Sequence, residues 1–433
     1  MNPVARIALL LASAAALPFA FEPVGQSWIL YFSFGALLFC LHELKPAAAM
    51  LAGFWWGFAT FGIGASWFWN IFGPTALGLF GILACFPAAF GWLSAHATRR
   101  GWDGLPLALF IGINWTALEF IRGEIFWLKF PWFGTYGITL ILATGIAGLV
   151  HCRRWNAVVP ALLPLIPFAP HSLVGGTRIV CIQAEGASLE QLIELSRSAT
   201  DKPAHFVWPE YAIPTDLAKA APRDLATIQK FLRDRSSTLT LGTQTFLEGA
   251  AWQNLALTLD GTQILGAHAK NHTVHLFDDG TPGTTAEPIR IGDHLVGTPV
   301  CFDCDFQDVV RRMTAAGADY FVAPTMDAIS WTERQHLQHG QLFQARAVEN
   351  GRWIAVAASS GLTQVIDSQG SVRSQLPLIK PGALRAELLP LSHMTFFTRV
   401  GWLIPWIVLG IWACTLLGVV FRRPQSTSSS VSA

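Results

Sequence analysis

The sequence predicts a multi-pass α-helical membrane protein with an α/β domain inserted before its last span, and three observations predict it. Apolar runs of bilayer-spanning length recur over roughly residues 5–172 and return once at 400–421. Only 13% of the 433 residues are charged and 52% are hydrophobic, whereas soluble domains carry about a quarter of their residues charged. Between the runs, roughly 175–393, lies a stretch of different character that holds most of the acidic residues. Composition also excludes functions. A net charge of +1 without a basic stripe argues against a nucleic-acid partner. The seven cysteines (40, 85, 152, 181, 301, 304, 414) have no framework of paired spacings. Neither a CxxC…CxxC nor an HExxH pattern is present, so no metal or cofactor is expected.

A helix needs about 20 mostly apolar residues to cross a bilayer. Runs of this kind stand at 5–22, 27–43, 47–71, 75–97, 104–122, 137–151, 156–172 and 400–421. The first is followed at once by further spans and reads as a retained anchor rather than a signal peptide. Charges set the orientation. Arg6, the loop from His42 to Lys45, Arg99-Arg100, Arg153-Arg154 and Arg422-Arg423 fall at alternate ends of the spans. With eight crossings all of these cations and both termini lie on the cytoplasmic side. Arg122 and Lys129 are the exceptions, on the outer side. The expected organisation is seven spans in 1–174, an outer, periplasmic domain at 175–393, and 394–433 as the eighth span with a short cytoplasmic tail.

Within 175–393 short apolar segments alternate with helical patterns. Strands are predicted at Arg178–Gln183, Ala204–Trp208, Thr238–Gln244, Leu255–Leu259, His294–Val300, Tyr320–Ala323 and Trp353–Ala358. Helices are predicted at Leu189–Ala199, Pro222–Ser236, Gln307–Ala316 and Gln335–Glu349. Strands interleaved with helices give a layered α/β domain with its helices outside.

Three residues in this domain each follow a predicted strand: Glu210 in Trp208-Pro209-Glu210-Tyr211, Lys270 in His268-Ala269-Lys270-Asn271-His272, and Cys301 in Val300-Cys301-Phe302-Asp303-Cys304. A carboxylate can take a thiol proton and an ammonium can stabilise the oxyanion of a tetrahedral intermediate, so together they suit acyl transfer. Cys301 stands at a strand-to-helix turn, where a helix dipole favours thiolate. Each also has an ordinary reading: a solvated strand end, a surface lysine, a small core residue. Cys301 and Cys304 also form a CxxC, the pattern of a redox dithiol, although that leaves Glu210, Lys270 and the spans unexplained. Glu119 and Arg122 are ionisable groups within or near a span, spaced i, i+3. They read equally as a buried pair fixing helix packing or as a contact to a phospholipid headgroup. His272, His336 and His339 read as surface or loop residues.

The words around the three residues, in this order, resemble the Glu-Lys-Cys set of the nitrilase superfamily. The whole chain resembles its membrane branch, the apolipoprotein N-acyltransferase family. The resemblance runs nearly end to end, through Gly53-Phe54, Gly57, Phe61, Gly64, Ser66-Trp67, Trp115, Glu119-Phe120-Ile121-Arg122 and Phe130-Pro131-Trp132. It continues through Asn254, Gln335-His336-Leu337-Gln338, Ala345–Glu349, Val365–Gly370 and Thr398-Arg399. It implies a nitrilase-like αββα sandwich for the inserted domain and a ping-pong acyl transfer in the bacterial inner membrane. Cys301 would attack the sn-1 ester of a phospholipid, typically phosphatidylethanolamine, to give a thioacyl-enzyme. The N-terminal amine of a diacylglyceryl-cysteine lipoprotein would then take the chain. Glu210 would serve as base and then acid, while Lys270 and the Phe302 N–H would hold the oxyanion. Neither cofactor nor metal is implied, and the protein is expected to act as a monomer.

Some positions depart from the family pattern. Its His-Leu-Val-Pro-Phe-Gly-Glu appears here as His272 to Gly280, with Asp278 in the place of the glutamate. Tyr-Glu after the cysteine is Phe302-Asp303, and Ser-Asn-Asp-Ala is Thr325-Met326-Asp327-Ala328. The three proposed reacting residues are kept while their surroundings differ. This leaves a membrane-tethered amidase, a divergent acyltransferase with another acceptor, and a lipid-binding paralogue as the alternatives.

Overall fold

The computed structural model describes residues 2–131, 136–152 and 176–421. Two compact units divide the chain: Met1–Pro167 together with Leu403–Ala433, and Phe168–Trp402.

The first unit is helical. Its elements are α1 (Pro3–Ala16), α2 (Ile29–Leu41), α3 (Pro46–Gly64), α4 (Phe68–Phe72), α5 (Ala76–Arg99), α6 (Gly104–Phe120), α7 (Tyr136–Cys152) and a last helix, Ile404–Phe421. Proline opens α1 and α3, where its missing N–H costs nothing and its φ is already helical. Among the described residues, five helical stretches are long and apolar enough to cross a membrane: Pro3–Ala20, Pro46–Gly64, Phe68–Arg99, Gly104–Ile125 and Gly401–Val419. Ile29–Leu41 and Ile138–His151 are shorter apolar helices, and the span expected at 156–172 lies outside the described residues.

Lipid supplies no hydrophobic drive between helices, so close packing and internal hydrogen bonds must hold such a bundle. Both are present. A Cβ on Gly53 would stand 2.2 Å from the Pro87 carbonyl oxygen, and one on Gly57 2.8 Å from the Pro87 ring. Only a bare backbone lets α3 lie this close to α5. Asn114 is fully buried, and its amide donates to the Phe90 carbonyl and to Ser94 Oγ, each at 3.3 Å. It accepts at Oδ1 from Trp412 Nε1 at 2.9 Å, which ties the last helix to α5 and α6. The Trp115 ring is the hub of an aromatic cluster, with Phe34 and Phe90 centroids both 4.9 Å away.

The second unit contains twelve strands in two six-stranded sheets. Those of the first sheet are β1 (Thr177–Gln183), β2 (His205–Val207), β3 (Thr238–Phe246), β4 (Trp252–Leu259), β5 (Ile264–Ala269) and β12 (Gly382–Leu388), in the order β12-β1-β2-β3-β4-β5. The second holds β6 (Ile289–Ile291), β7 (His294–Gly297), β8 (Tyr320–Thr325), β9 (Ile354–Ala358), β10 (Gln364–Ile366) and β11 (Val372–Gln375), in the order β11-β10-β9-β8-β7-β6. In each sheet three central strands run parallel and the flanking ones antiparallel.

Side-chain alternation explains the layers. Along β1, Ile179 and Cys181 pack with Val207, Val322, Ala355 and Leu384 between the sheets. Val180 and Ile182 point the other way, onto Leu192 and Phe231 of helices Leu189–Ala199 and Pro222–Arg235. On the second sheet Phe321, Ala323, Ile354 and Val356 meet Val310 and Phe343 of helices Asp308–Ala315 and Glu333–Asn350. Strands apolar on both faces are what a sheet covered on both sides requires. The result is an αββα sandwich, as expected. The strands invisible in the sequence, β5, β6, β10, β11 and β12, are short or half exposed, like the burial alternation of β11. β7 ends at Gly297 rather than Val300, because the Val300 N–H donates to Asp303 Oδ2 and not to a neighbouring strand.

Candidate active site

The residues singled out by sequence converge at one end of the sandwich. Glu210 follows β2, Lys270 follows β5 and Cys301 follows β7, and all three are buried, at 3%, 2% and 5% exposure. Lys270 Nζ lies 2.8 Å from Glu210 Oε1 and 2.8 Å from Asp279 Oδ2. Glu210 is close enough to the Cys301 thiol for its charge to act on it. The thiol also faces the Met326 carbonyl at 3.6 Å, while the Met326 N–H donates to Glu210 Oε2 at 2.8 Å. One residue, just beyond the end of β8, thus contacts both the thiol and the carboxylate. Asn254 on β4 completes the carboxylate's shell, donating to Glu210 Oε1 at 2.6 Å.

Backbone geometry fixes these groups. Cys301 and Tyr211 both occupy the left-handed region, with φ of 48° and 56°. For a non-glycine residue this costs on the order of 1–3 kcal/mol, and the surrounding structure must impose it. Behind Glu210, a Cβ on Gly242 would stand 2.2 Å from the Glu210 Cα, so β3 needs glycine there for β2 to end as it does. The turn Cys301–Asp305 is anchored by Asp303, which accepts from Val300, Asn271 and His272 N–H groups at 3.1, 2.9 and 2.8 Å. His268 Nε2 meets its Oδ2 at 2.9 Å. The shorter carboxylate at this position is therefore fully engaged, and it binds the cysteine's turn to the segment after Lys270.

The electrostatics correct one expectation. Cys301 opens a five-residue 3₁₀ turn, and the following α-helix begins only at Asp308, so no helix dipole acts on the sulfur. Burial pushes the thiol well above its usual range and the Glu210 carboxylate pushes further, with Lys270 opposing. Glu210 is itself raised, by burial first, with Lys270 opposing and the nearby Asp279 charge reinforcing. Lys270 is held well above its ordinary value, since the surrounding carboxylates outweigh its burial. Asp279 is lowered because Lys270 outweighs its burial. The pocket therefore contains a protonated thiol, an ammonium and a carboxylate with raised proton affinity.

A second correction concerns the supporting carboxylate. Asp278 is exposed, and Asp279 is the residue that reaches Lys270. Asp279 also accepts from Tyr211 Oη at 2.5 Å, Asn254 Nδ2 at 2.9 Å and the Val274 N–H at 2.8 Å. The loop turns outward at Leu276, in the left-handed region with φ of 70°, and exposes Leu276, Phe277 and Asp278 before returning. Counting residues from Lys270 misses this extra step. Phe302 lies in the turn after Cys301, its ring 5.0 Å from that of Phe306. His336 and His339, expected at the surface, are buried at 0% and 3% exposure. Cys304 is fully buried among Val309, Met313 and Phe321.

In the helical unit Glu119 and Arg122 are both buried. Thr139 donates to Glu119 Oε1 at 3.3 Å, and the Arg122 guanidinium lies over the rings of Phe61 and Phe130 at 5.2 and 5.8 Å. Both border a cavity that Trp56, Thr60, Phe86 and Trp115 also line. The helix changes to a π turn at Ile121–Ile125 as it passes this cavity, a departure found often at functional sites.

With this geometry in hand, the chain can be set beside known proteins. Residues 181–388 match the carbon-nitrogen hydrolase family, so the two-sheet unit is a hydrolase-type α/β domain of the nitrilase kind. Residues 13–164 match the apolipoprotein N-acyltransferase N-terminal domain. Apolipoprotein N-acyltransferases of Photobacterium profundum and Methylococcus capsulatus are each 25% identical to this chain, covering 96% and 98% of it and 95% and 97% of themselves. That of Pseudomonas aeruginosa is 26% identical, covering 93% of this chain and 95% of its own. The chain belongs to the apolipoprotein N-acyltransferase family and is a membrane enzyme. An amidase from Nesterenkonia sp. is a similar solved structure, at 21% identity and TM-score 0.45, covering 54% of this chain and 98% of that one.

Proposed function

We propose that this protein transfers a fatty acyl chain from a membrane phospholipid, through a Cys301 thioester, to the N-terminal amine of a diacylglyceryl-cysteine lipoprotein. The observation that carries the reading is the convergence of three buried groups of an acyltransferase-family chain: Lys270 lies 2.8 Å from Glu210, and Met326 contacts Glu210 through its N–H and the Cys301 thiol through its carbonyl.

The chemistry follows from the charges. Glu210, its proton affinity raised, takes the Cys301 proton, and the negative charge moves from carboxylate to sulfur with the pocket's net charge unchanged. The thiolate attacks the ester carbonyl of the phospholipid. Lys270 and the Phe302 N–H stabilise the oxyanion, which is the term that dominates many acyl transfers. Collapse breaks the carbon–oxygen bond, Glu210 returns its proton to the departing lysophospholipid alkoxide, and the thioester remains. The lipoprotein amine then attacks the thioester and gives its proton to Glu210. The carbon–sulfur bond breaks and Glu210 passes that proton to the departing sulfur, leaving an amide, a free thiol and the starting carboxylate. A thioester is activated enough to acylate an amine without ATP. Asp279, in place of Asp278, is the second carboxylate that holds Lys270.

Phosphatidylethanolamine is the proposed donor, and Arg122 with Glu119 the proposed contact for a lipid headgroup at the cavity beside Trp115. The protein acts as a monomer in the bacterial inner membrane, with residues 175–393 on the periplasmic side and basic loops at the cytoplasmic face. The test is to incubate the purified full chain with phosphatidylethanolamine and weigh it intact. The expected result is a fatty-acyl adduct on the wild type that is absent from Cys301→Ser, and that a diacylglyceryl peptide discharges. No adduct with any phospholipid refutes the proposal, and discharge to water alone points to hydrolysis instead.

A further inference from the structure

Behind the proposed reacting groups sits a cluster that the reaction does not use directly. Asp305 ends the turn that begins with Cys301, and Asp327 follows Met326. Between them lies His339 of helix Glu333–Asn350, with Nδ1 2.8 Å from Asp327 Oδ1 and Nε2 3.1 Å from Asp305 Oδ1. All three side chains are buried, at 2%, 2% and 3% exposure. Nδ1 is in hydrogen-bond contact with Asp327 and Nε2 is within ion-pair distance of Asp305, and a carboxylate facing each ring nitrogen favours the doubly protonated imidazolium.

We propose that His339 is a positioning residue: as an imidazolium bridging Asp305 and Asp327, it clamps the Cys301 turn to the segment of Met326, whose carbonyl and N–H contact Cys301 and Glu210. The inference rests on the acyl-transfer reading above. Every other bond at Asp327 serves the same end. Gln335 Nε2 donates to Oδ1 at 2.8 Å, the Asp327 N–H donates to Ser359 Oγ at 3.1 Å, and the Ser359 hydroxyl donates to the Asp327 carbonyl at 3.2 Å. A Cβ on Gly361 would stand 2.2 Å from Asp327 Oδ2, so the aspartate fits only against a bare backbone. Asp327 is thereby fixed at side chain and main chain, directly after the residue that contacts thiol and carboxylate. A buried ion cluster is weak evidence for stability in itself; what this one specifies is the distance between two segments. The two carboxylates outweigh the burial that would otherwise discharge His339, and Asp327 is also among the charges that act on the Cys301 thiol. The groups facing His339 are Asp305 from the Cys301 turn, Asp327 from the loop after β8, and His336 from its own helix through Asp327.

The experiment is single-turnover acylation of the full chain by phosphatidylethanolamine, followed by intact mass across the histidine range of about pH 5 to 8 and above. His339→Gln alone leaves two buried carboxylates without a cation and is prone to misfold. The double variant Asp305→Asn/His339→Gln has the same net charge as the wild-type cluster and avoids this. It is expected to acylate about 10²-fold more slowly, with unchanged half-saturation by lipid. Asp305→Asn alone leaves His339 one carboxylate. Its rate is expected to fall at a lower pH on the alkaline side than the wild type's, a limb that the double variant lacks. An Asp305→Asn profile superimposable on the wild type's, or a double variant acylating at the wild-type rate, overturns the inference. A wild type that forms no adduct at all overturns the function itself, and this inference with it.

Discussion

Around Lys270 two carboxylates compete for one ammonium, and that imbalance gives Glu210 its proposed task. Glu210 and Asp279 each lie 2.8 Å from Nζ, and Asp279 is the one that Lys270 holds ionised, helped by Tyr211 and the Val274 N–H. The burial of Glu210, and the Asp279 charge beside it, leave it above the ordinary carboxylate range. In the proposed reaction Glu210 must be ionised to accept the thiol proton, so acylation falls as pH drops through its raised value. Asp279→Asn removes one of the raising charges and is expected to move this acid limb to lower pH, whereas Asp278→Asn, at an exposed site, leaves it in place. A pH series of single-turnover acylation reads both. Lys270→Met is expected to slow acylation by about 10²–10³-fold, the usual effect of losing one oxyanion donor. It also leaves Glu210 and Asp279 without their shared cation, so its melting temperature belongs beside its rate. Cys304→Ala is expected to retain the adduct, since Cys304 packs in the core behind the turn.

At the scale of elements, the ends of strands carry the site and their neighbours limit where those ends can go. Gly242 on β3 is one example, with room for no Cβ behind Glu210. Gly242→Ala is expected to cost about 1–3 kcal/mol through overpacking and to lower the acylation rate more than lipid half-saturation. Thermal melts of the purified chain and saturation curves separate the two effects. In the helical unit, Asn114 joins α5, α6 and the last helix through three bonds. Asn114→Leu is expected to destabilise the bundle by about 1–2 kcal/mol, read as a lower midpoint of thermal unfolding in detergent. The rows of spans and the strands β1, β3, β4, β8 and β9 were legible because their apolar runs are long or continuous. The strands β6, β10 and β11 were not, since three or four residues with partial exposure carry no periodic signal.

Across the whole molecule, the pairing of a helical unit with a nitrilase-type domain suits substrates that are themselves lipid-anchored. The proposal predicts that the full chain in phosphatidylethanolamine-containing micelles acylates a diacylglyceryl peptide and releases no ammonia from short aliphatic amides. Ammonia release without peptide acylation is the opposite outcome and marks an amidase. Chain order conceals how the reacting groups meet: Glu210 comes from the first sheet and Cys301 from the second. The sandwich brings both to Met326, whose N–H donates to Glu210 and whose carbonyl faces the Cys301 thiol.

The sequence by itself determined the membrane character, the α/β insertion, and Glu210, Lys270 and Cys301 as the set to watch. The first two depend on composition and run length, which are local properties. The three residues were singled out by residue type next to a strand together with the resemblance of their surrounding words to the nitrilase superfamily. Only the tertiary structure decided which carboxylate meets Lys270, because the loop takes one residue more than counting allows and Asp279 replaces Asp278. It likewise decided the state of the thiol, since burial and a facing carboxylate, rather than a helix dipole, govern Cys301. It turned His339 from an expected surface residue into the bridge between Asp305 and Asp327. Burial and charge neighbours belong to three chain segments at once, and no one segment contains them.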